Sequence, residues 1–294
     1  MPDLCAMSTV QLVECPRDAM QGIKEFIPTD KKVAYINSLL KCGFHTLDCG
    51  SFVSAKAIPQ MQDTAEVLNR IDRTGSGTLL SVIVANVRGA QEAVLHPQVD
   101  VLGYPFSVSE QFQQRNTNAS RSEALDRVKE TLELCHTNGK QLMVYLSMAF
   151  GNPYGEEWSP QIVAEWTQKL ADAGVTLLMP SDTIGASDRQ SITGVMGLLN
   201  GEFPELTIGA HLHTTPHTWR EKLDAAYASR CRRFDSAIGG LGGCPMAKDD
   251  LTGNMPTERV IEYLDDQRVP SGLNASALRE AMMLAAVTFP VVGD

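Results

Sequence analysis

Residues 206–213 read Leu-Thr-Ile-Gly-Ala-His-Leu-His, an apolar run closed by two histidines one residue apart. Strand side chains alternate faces with a period of two, so on a strand His211 and His213 point the same way. Two imidazoles on one face of a strand end are preorganised to share one metal ion. Polar residues also gather at strand ends with no ligand to hold, so the pair alone leaves both readings open. Of the six histidines in the chain, His211, His213 and His217 fall within seven residues.

Outward from this run the same pattern recurs. Short apolar runs at 9–15, 45–49, 79–85, 100–104, 142–147, 176–179, 206–211 and 233–237 read as eight strands. Helical periodicity lies between them. Thr29-Asp30 is placed to cap a helix with Val33, Ile36, Leu39 and Leu40 on one stripe, and Gly43 to end it. Ser120, with Glu123 three residues on, opens another whose inward stripe is Leu125, Val128, Leu132 and Cys135. Ser159-Pro160 starts a third, with Ile162, Val163, Trp166 and Leu170 inward. Weaker patterns cover 59–71, 88–95, 187–199 and 217–229, and two more, at 256–264 and 275–286, follow the last strand. Eight β/α units without a linker or low-complexity stretch predict an α/β fold, a (β/α)8 TIM barrel forming one domain over 1–294 with a C-terminal helical extension. An open doubly wound sheet is the rival, but no Gly-x-Gly-x-x-Gly follows the first strand.

Composition agrees with this class. The chain has 294 residues with 43% apolar content, which is enough for a full core; α/β barrels run to about 250 residues as one domain. A net charge of −10 argues against a nucleic-acid surface, which needs a basic patch. No apolar stretch reaches the roughly 18 residues that span a bilayer, so no membrane partner is expected. The first residues, MPDLCAMSTVQLVECPRD, show neither a basic n-region nor a long apolar h-region, so no secretory signal is expected. Seven scattered cysteines with no CxxC pair fit reduced thiols in the cytoplasm.

In a barrel the C-terminal strand ends converge on one face, where chemistry lives. Those ends carry Arg17-Asp18, Asp48 with Ser51, Asn86, Ser107, Ser147 with Asn152, Asp182-Thr183, and His211 with His213. The last strand leads into Gly239-Gly240-Leu241-Gly242-Gly243-Cys244-Pro245 and then Gly253-Asn254. Each has a mundane reading as a cap or turn residue. Together they surround one cavity with acids, imidazoles, an amide and a thiol. Asp18, His211, His213 and one amide oxygen make a mixed oxygen and nitrogen shell. Such a shell suits Mg²⁺ or Mn²⁺, with Zn²⁺ or Co²⁺ as alternatives.

Several motifs recur here in one order: Pro-Arg-Asp at 16–18 with Gln21, Gly-Ser-Phe-Val-Ser at 50–54, and Pro59-Gln60-Met61. Gly151-x-Pro-Tyr154, Ser-Asp-Thr-Ile-Gly at 181–185 and the His-x-His pair follow, then Gly-Leu-Gly-Gly-Cys-Pro-x-Ala at 240–247 and Gly-Asn-x-x-Thr-Glu at 253–258. In these the chain resembles the 3-hydroxy-3-methylglutaryl-CoA lyases of the metal-dependent barrel superfamily of lyases and Claisen-type synthases. The resemblance implies that Asp18, His211, His213 and Asn254 ligate a divalent cation. It implies Arg17, Asp18, Asp48, Asp182, His211 and Cys244 as the catalytic set. In it Arg17 polarises the thioester carbonyl, Asp18 or Asp182 is the candidate base with Asp48 behind them, and Cys244 on the glycine-rich loop is the reactive thiol. Lys24 falls where a basic residue faces substrate anions, although an ordinary surface lysine fits equally. An acyl-CoA substrate and a homodimer are implied on the same ground.

The chain also departs from the family. Asp48 stands where Glu is common, Ala19-Met20 where Gly-Leu is usual, and Thr214-Thr215 where Asp follows the second histidine. Asn152 stands where Cys is frequent, and no cysteine follows Cys244. The Asp48 and Thr214 changes favour the second reading, a related aldolase, lyase or Claisen-type enzyme acting on another 3-hydroxyacyl-CoA or 2-oxo acid. A catalytically dead barrel serving as a scaffold is the third, and retention of every ligand residue argues against it.

Overall fold

The computed structural model describes residues 10–243 and 252–289, so Thr9, Cys244 and the loop to Leu251 lie outside the described residues. Its strands are β1 (Gln11–Glu14), β2 (Thr46–Ser51), β3 (Leu79–Ile83), β4 (Val101–Ser107), β5 (Gln141–Ser147), β6 (Leu177–Pro180), β7 (Thr207–Ile208), β8 (His213–Thr214), β9 (Arg233–Ser236) and β10 (Gly253–Asn254). All but β8 and β10 form one parallel sheet in the order β7-β6-β5-β4-β3-β2-β1-β9. A parallel bridge from Ala210 to Phe234 joins its two edges, and the chain is a TIM barrel. The eight expected strands are these eight.

Two features escape a reading by periodicity. β4 runs through Pro105, past the expected end at Tyr104. Its ladder to β3 stops at Gly103, so beyond that point it pairs only with β5 and the missing proline N–H is tolerated. β8 and β10 form a separate antiparallel pair, with Asn254 opposite His213 and Gly253 opposite Thr214.

The expected helices are present with their buried faces turned slightly, and two short ones that periodicity did not mark, Pro16–Gln21 and Glu110–Thr117, join them. Ser120 closes a capping box with Glu123 at the start of Arg121–Thr137, and Ser159 accepts from the Ile162 N–H at the start of Pro160–Asp172. Their fully buried residues are Ala124, Val128, Thr131 and Cys135, and Val163, Ala164, Thr167 and Leu170. Leu125, Leu132, Ile162 and Trp166 are only half-buried. Small side chains face the strands because the helix axes pack close there, and the large ones fill the gaps between helices. Thr29 is the first residue of its helix, not its cap, and its hydroxyl is spent on Asp63 at 2.8 Å. Helix Ala275–Thr288 is the C-terminal extension and packs on Thr29–Leu39; just past its end Phe289 meets Tyr35 edge-on.

Inside the barrel, Ile83, Val101, Met143, Tyr145, Leu177 and Met179 form a core separate from the larger one beneath the helices. Below them Arg233 bonds Gln11, His45 and Thr46. A Cβ at Gly209 would sit 2.4 Å from the Met179 sulfur and 3.1 Å from Arg233 Cγ, so only glycine lets these side chains cross the interior. The C-terminal strand ends above this packed interior are left for polar groups.

Candidate metal centre and active site

Arg17 and Asp18 stand on the one-turn helix Pro16–Gln21 that follows β1, with Pro16 fixing its first turn. His211 follows β7 and bridges to Ser181, and His213 opens β8. Asp18, His211 and His213 each bring one donor atom to within 4.8 Å of the others.

The two imidazoles are oriented from behind. His211 Nδ1 meets Asp235 Oδ2 at 3.0 Å, and His213 Nδ1 meets the Thr183 carbonyl at 3.2 Å. A carboxylate and a carbonyl only accept, so both Nδ1 atoms carry the proton. Both Nε2 atoms are then acceptors in the neutral rings, and they face each other at 3.2 Å. Two lone pairs at that distance need a positive charge between them, either a proton or a cation. Burial opposes charge on His211, but the Asp235 hydrogen bond and charge, with Asp18, outweigh it and hold His211 above its usual value. Burial and the neighbouring His211 push His213 down to about 4. The pair holds one proton with ease and resists a second, so a cation would enter by displacing it.

The other ligand candidates converge here. Asn254 Nδ2 donates to Asp18 Oδ2 and to the Leu241 carbonyl, each at 2.7 Å, and the Asn254 backbone pairs with His213. Burial works against ionising Asp18, but Arg17 and the two histidines hold its carboxyl down at about 2. Gly242 (φ +84°) lies so close that a Cβ would be 2.5 Å from the Asp18 carbonyl and 2.8 Å from Asn254 Nδ2.

Four of the five Arg17 N–H groups have protein partners. Its Nε donates to Asp48 Oδ2 at 2.9 Å, and one terminal nitrogen makes a second bond to the same oxygen. The other reaches Asp18 Oδ1 at 2.9 Å and Gln21 Oε1 at 2.8 Å. Asp48 is wholly buried where the β2–β3 register shifts, an irregularity that re-aims side chains beside a site. Its burial outweighs Arg17 and lifts its carboxyl to about 6.

A cavity of about 380 Å³ opens over these groups, with Arg17, Asp18, His211, His213, Ser147 and Tyr145 among its walls. Val53, Ile58, Ile83 and Pro105 make an apolar side. The other expected residues are less involved. Asp182 is buried, bonded to Ser187 and Lys222, and is not part of the cavity wall. Lys24 is exposed on the connection after the first helix. Asn86 caps its helix through the Gly89 N–H, and Asn152 closes its own turn through Tyr154 and Glu156, which is the mundane reading of both. Cys244 lies outside the described residues.

Sequence reading passed over Asp235, Tyr145 and Lys222. Asp235 shares a face with Arg233 by the period of two, so a carboxylate pointing into the barrel was there to be read. Tyr145 lies edge-on to His211 with ring centroids 5.6 Å apart, and its buried phenol has no partner among the described residues. Lys222 carries no signal, since a helix lysine reads as surface.

Fold and site define a TIM-barrel protein with an aspartate–histidine centre of the kind that holds a divalent cation, built at the C-terminal rim. A family model described as HMGL-like matches residues 10–284, and the chain belongs to that family. It is 32% identical over 273 residues to the cytoplasmic 3-hydroxy-3-methylglutaryl-CoA lyase of Rattus norvegicus, covering 92% of this chain and 79% of the relative. Among solved structures it resembles the hydroxymethylglutaryl-CoA lyase of Pseudomonas aeruginosa (TM-score 0.88, 31% identity, 97% of this chain and 95% of that one). It also resembles an HMG-CoA lyase from Acinetobacter baumannii in complex with coenzyme A and 3-methylmalate (TM-score 0.86, 27% identity, 95% and 91%).

Proposed function

We propose that this chain is a divalent-cation-dependent carbon–carbon lyase that cleaves 3-hydroxy-3-methylglutaryl-CoA to acetyl-CoA and acetoacetate. The observation that carries it is the facing pair of Nε2 atoms, 3.2 Å apart and beside Asp18, at the rim of a barrel of this family. Asp18, His211, His213 and the Asn254 oxygen are the groups that would hold the ion. Their mixed donors suit Mg²⁺ or Mn²⁺ before Zn²⁺ or Co²⁺. Such an ion supplies Lewis acidity, lowering the pKa of a hydroxyl group of the substrate.

The chain's own side chains do the rest. Arg17, clamped by Asp48, Asp18 and Gln21, stands at the cavity wall as a fixed positive charge for the enolate that forms when the bond breaks. Asp18 lines the cavity but, at about 2, is a ligand and a poor base. Asp48, at about 6, is the acid able to take the hydroxyl proton near neutrality. It lies behind the cavity wall, where Arg17 bridges it to Asp18, the carboxylate that does face the cavity. Cys244, from the resemblance alone, is our candidate for the acid that protonates the enolate carbon. Lys24 is our candidate for a contact to the CoA anions, and a cytoplasmic homodimer is the proposed setting.

Purified protein with Mg²⁺ or Mn²⁺ and 3-hydroxy-3-methylglutaryl-CoA should release acetoacetate, and EDTA should abolish release. Absence of product with the metal-loaded protein would reject the reading. His211→Ala and His213→Ala should each lose bound metal by elemental analysis.

A further inference from the structure

Lys222 belongs to helix Trp219–Ala228 and is only 3% exposed, an expensive place for an ammonium unless every proton is met. Each of them is. Its three N–H groups have three acceptors: Asp182 Oδ2 at 2.7 Å, the Gly185 carbonyl at 2.9 Å and the His213 carbonyl at 2.8 Å.

Each acceptor leads back to the metal centre. The Asp182 N–H donates to the His211 carbonyl at 2.8 Å, and the Asp182 carboxylate takes both the Ser187 N–H and its hydroxyl. Residues 182–187 therefore form a turn closed on the Asp182 carboxylate and bonded to the histidine segment through the Asp182 N–H and the Thr183 carbonyl. Within that turn, Thr183 supplies the carbonyl that fixes His213 Nδ1, and its hydroxyl accepts from the Met148 N–H at 2.9 Å. Lys222 thus grips the His213 backbone directly and the acceptor of the His213 ring through Asp182. The Asp182 oxygens are occupied by these contacts and do not reach the cavity wall.

We infer that Lys222 and Asp182 are a positioning pair that sets the orientation of the His213 ring, the Asp182 carboxylate serving orientation and not proton transfer. The inference rests on the metal reading above. Groups that orient a ligating histidine from behind typically change metal affinity by 10–100-fold when removed.

Lys222→Met alone strands a buried carboxylate and is expected to fold poorly, so the informative variant is Asp182→Asn with Lys222→Met, which removes both charges and keeps the shape. Co²⁺ serves as the probe, since its visible absorption reports ligand geometry as well as occupancy. The double variant should keep wild-type far-ultraviolet circular dichroism, bind Co²⁺ at least tenfold more weakly and show an altered spectrum. A control pair lies away from the centre: Lys32, also buried, bonds the half-buried Asp63 at 2.6 Å. Lys32→Met with Asp63→Asn should lower the melting temperature and leave Co²⁺ affinity unchanged.

Wild-type Co²⁺ affinity and spectrum in the Asp182/Lys222 variant would overturn the inference, as would equal weakening in the control. Asp182→Asn alone, saturated with cation, should keep kcat within about tenfold of wild type; a collapse of kcat at unchanged Co²⁺ affinity would make Asp182 a proton carrier and also overturn it. Failure of the wild-type protein to bind Co²⁺ would instead reject the metal reading itself, and this inference with it.

Discussion

His211 and His213 are held through their Nδ1 atoms by unlike partners, a carboxylate for one and a peptide carbonyl for the other. Only the first can be removed by mutation without touching the backbone. Asp235→Ala should free the His211 ring to rotate and to exchange tautomers, lowering Mn²⁺ affinity by roughly 10–100-fold in a calorimetric titration. Asp235→Asn keeps an acceptor for Nδ1–H and should lose less. Equal losses in the two variants would show that the charge of Asp235, not its hydrogen bond, is what matters. The candidate cluster of Asp18, His211 and His213 was legible in the sequence because these residues fall at strand ends, where a barrel gathers its chemistry, whereas Asn254 was named only through the family resemblance. What holds the ligands was not. Asp235 and Lys222 act on backbone or ring atoms of residues far along the chain, and a one-dimensional pattern says nothing about that reach.

At the scale of elements, Glu14 ties three pieces together. It stands at the end of β1, accepts from the Ile238 N–H at 2.8 Å at the root of the glycine-rich loop, and accepts from the hydroxyl of Thr257, where the last barrel helix begins. Burial lifts its carboxyl from 4.5 to about 8, against the Thr257 and Ile238 hydrogen bonds. A carboxyl raised in the fold binds its proton more tightly there than in the unfolded chain. Stability from this group is therefore greatest below about 4.5 and declines as pH rises to about 8. Glu14→Gln keeps the shape without the ionisation. Its melting temperature should exceed wild type at pH 8 by about 2–4 °C for each kcal/mol recovered, and the two proteins should melt together at pH 4. Asp48, also raised, keeps its own decline between 3.8 and about 6 in both. Identical melting curves across the range would mean that Glu14 ionises as freely in the fold as outside it. The eight strands were readable because parallel strands buried on both faces appear as bare apolar runs. β8 and β10 were not, since strands of two residues carry no period and their partners lie 40 residues apart. The helix stripes were displaced because periodicity marks the largest apolar residues, while the closest approach to the sheet selects small ones such as Ala124 and Ala164.

Across the whole barrel, the sheet is uneven around its circumference. β4 and β5 pair along seven residues, Val101 to Ser107 against Gln141 to Ser147. The seam between β7 and β9 rests on one bridge, with hydrogen bonds from Ala210 N to the Arg233 carbonyl at 2.9 Å and from Asp235 N to the Ala210 carbonyl at 3.0 Å. The ligand candidates straddle this weak side: His211 and His213 follow β7, Asp18 follows β1 beyond β9, and Asn254 reaches back from β10. On the metal reading, a cation closes the seam that the backbone leaves thin. Binding only the folded state at a hundred times its dissociation constant adds about 2.7 kcal/mol, and local openings at the seam should be suppressed most. Hydrogen exchange with and without Mn²⁺ tests this. Protection should rise at residues 207–214, 233–237 and 252–256, while the β4–β5 ladder, already closed, should exchange alike in both conditions. Protection spread evenly around the barrel, or none at the seam, would mean that the ion fills the site without holding the barrel shut.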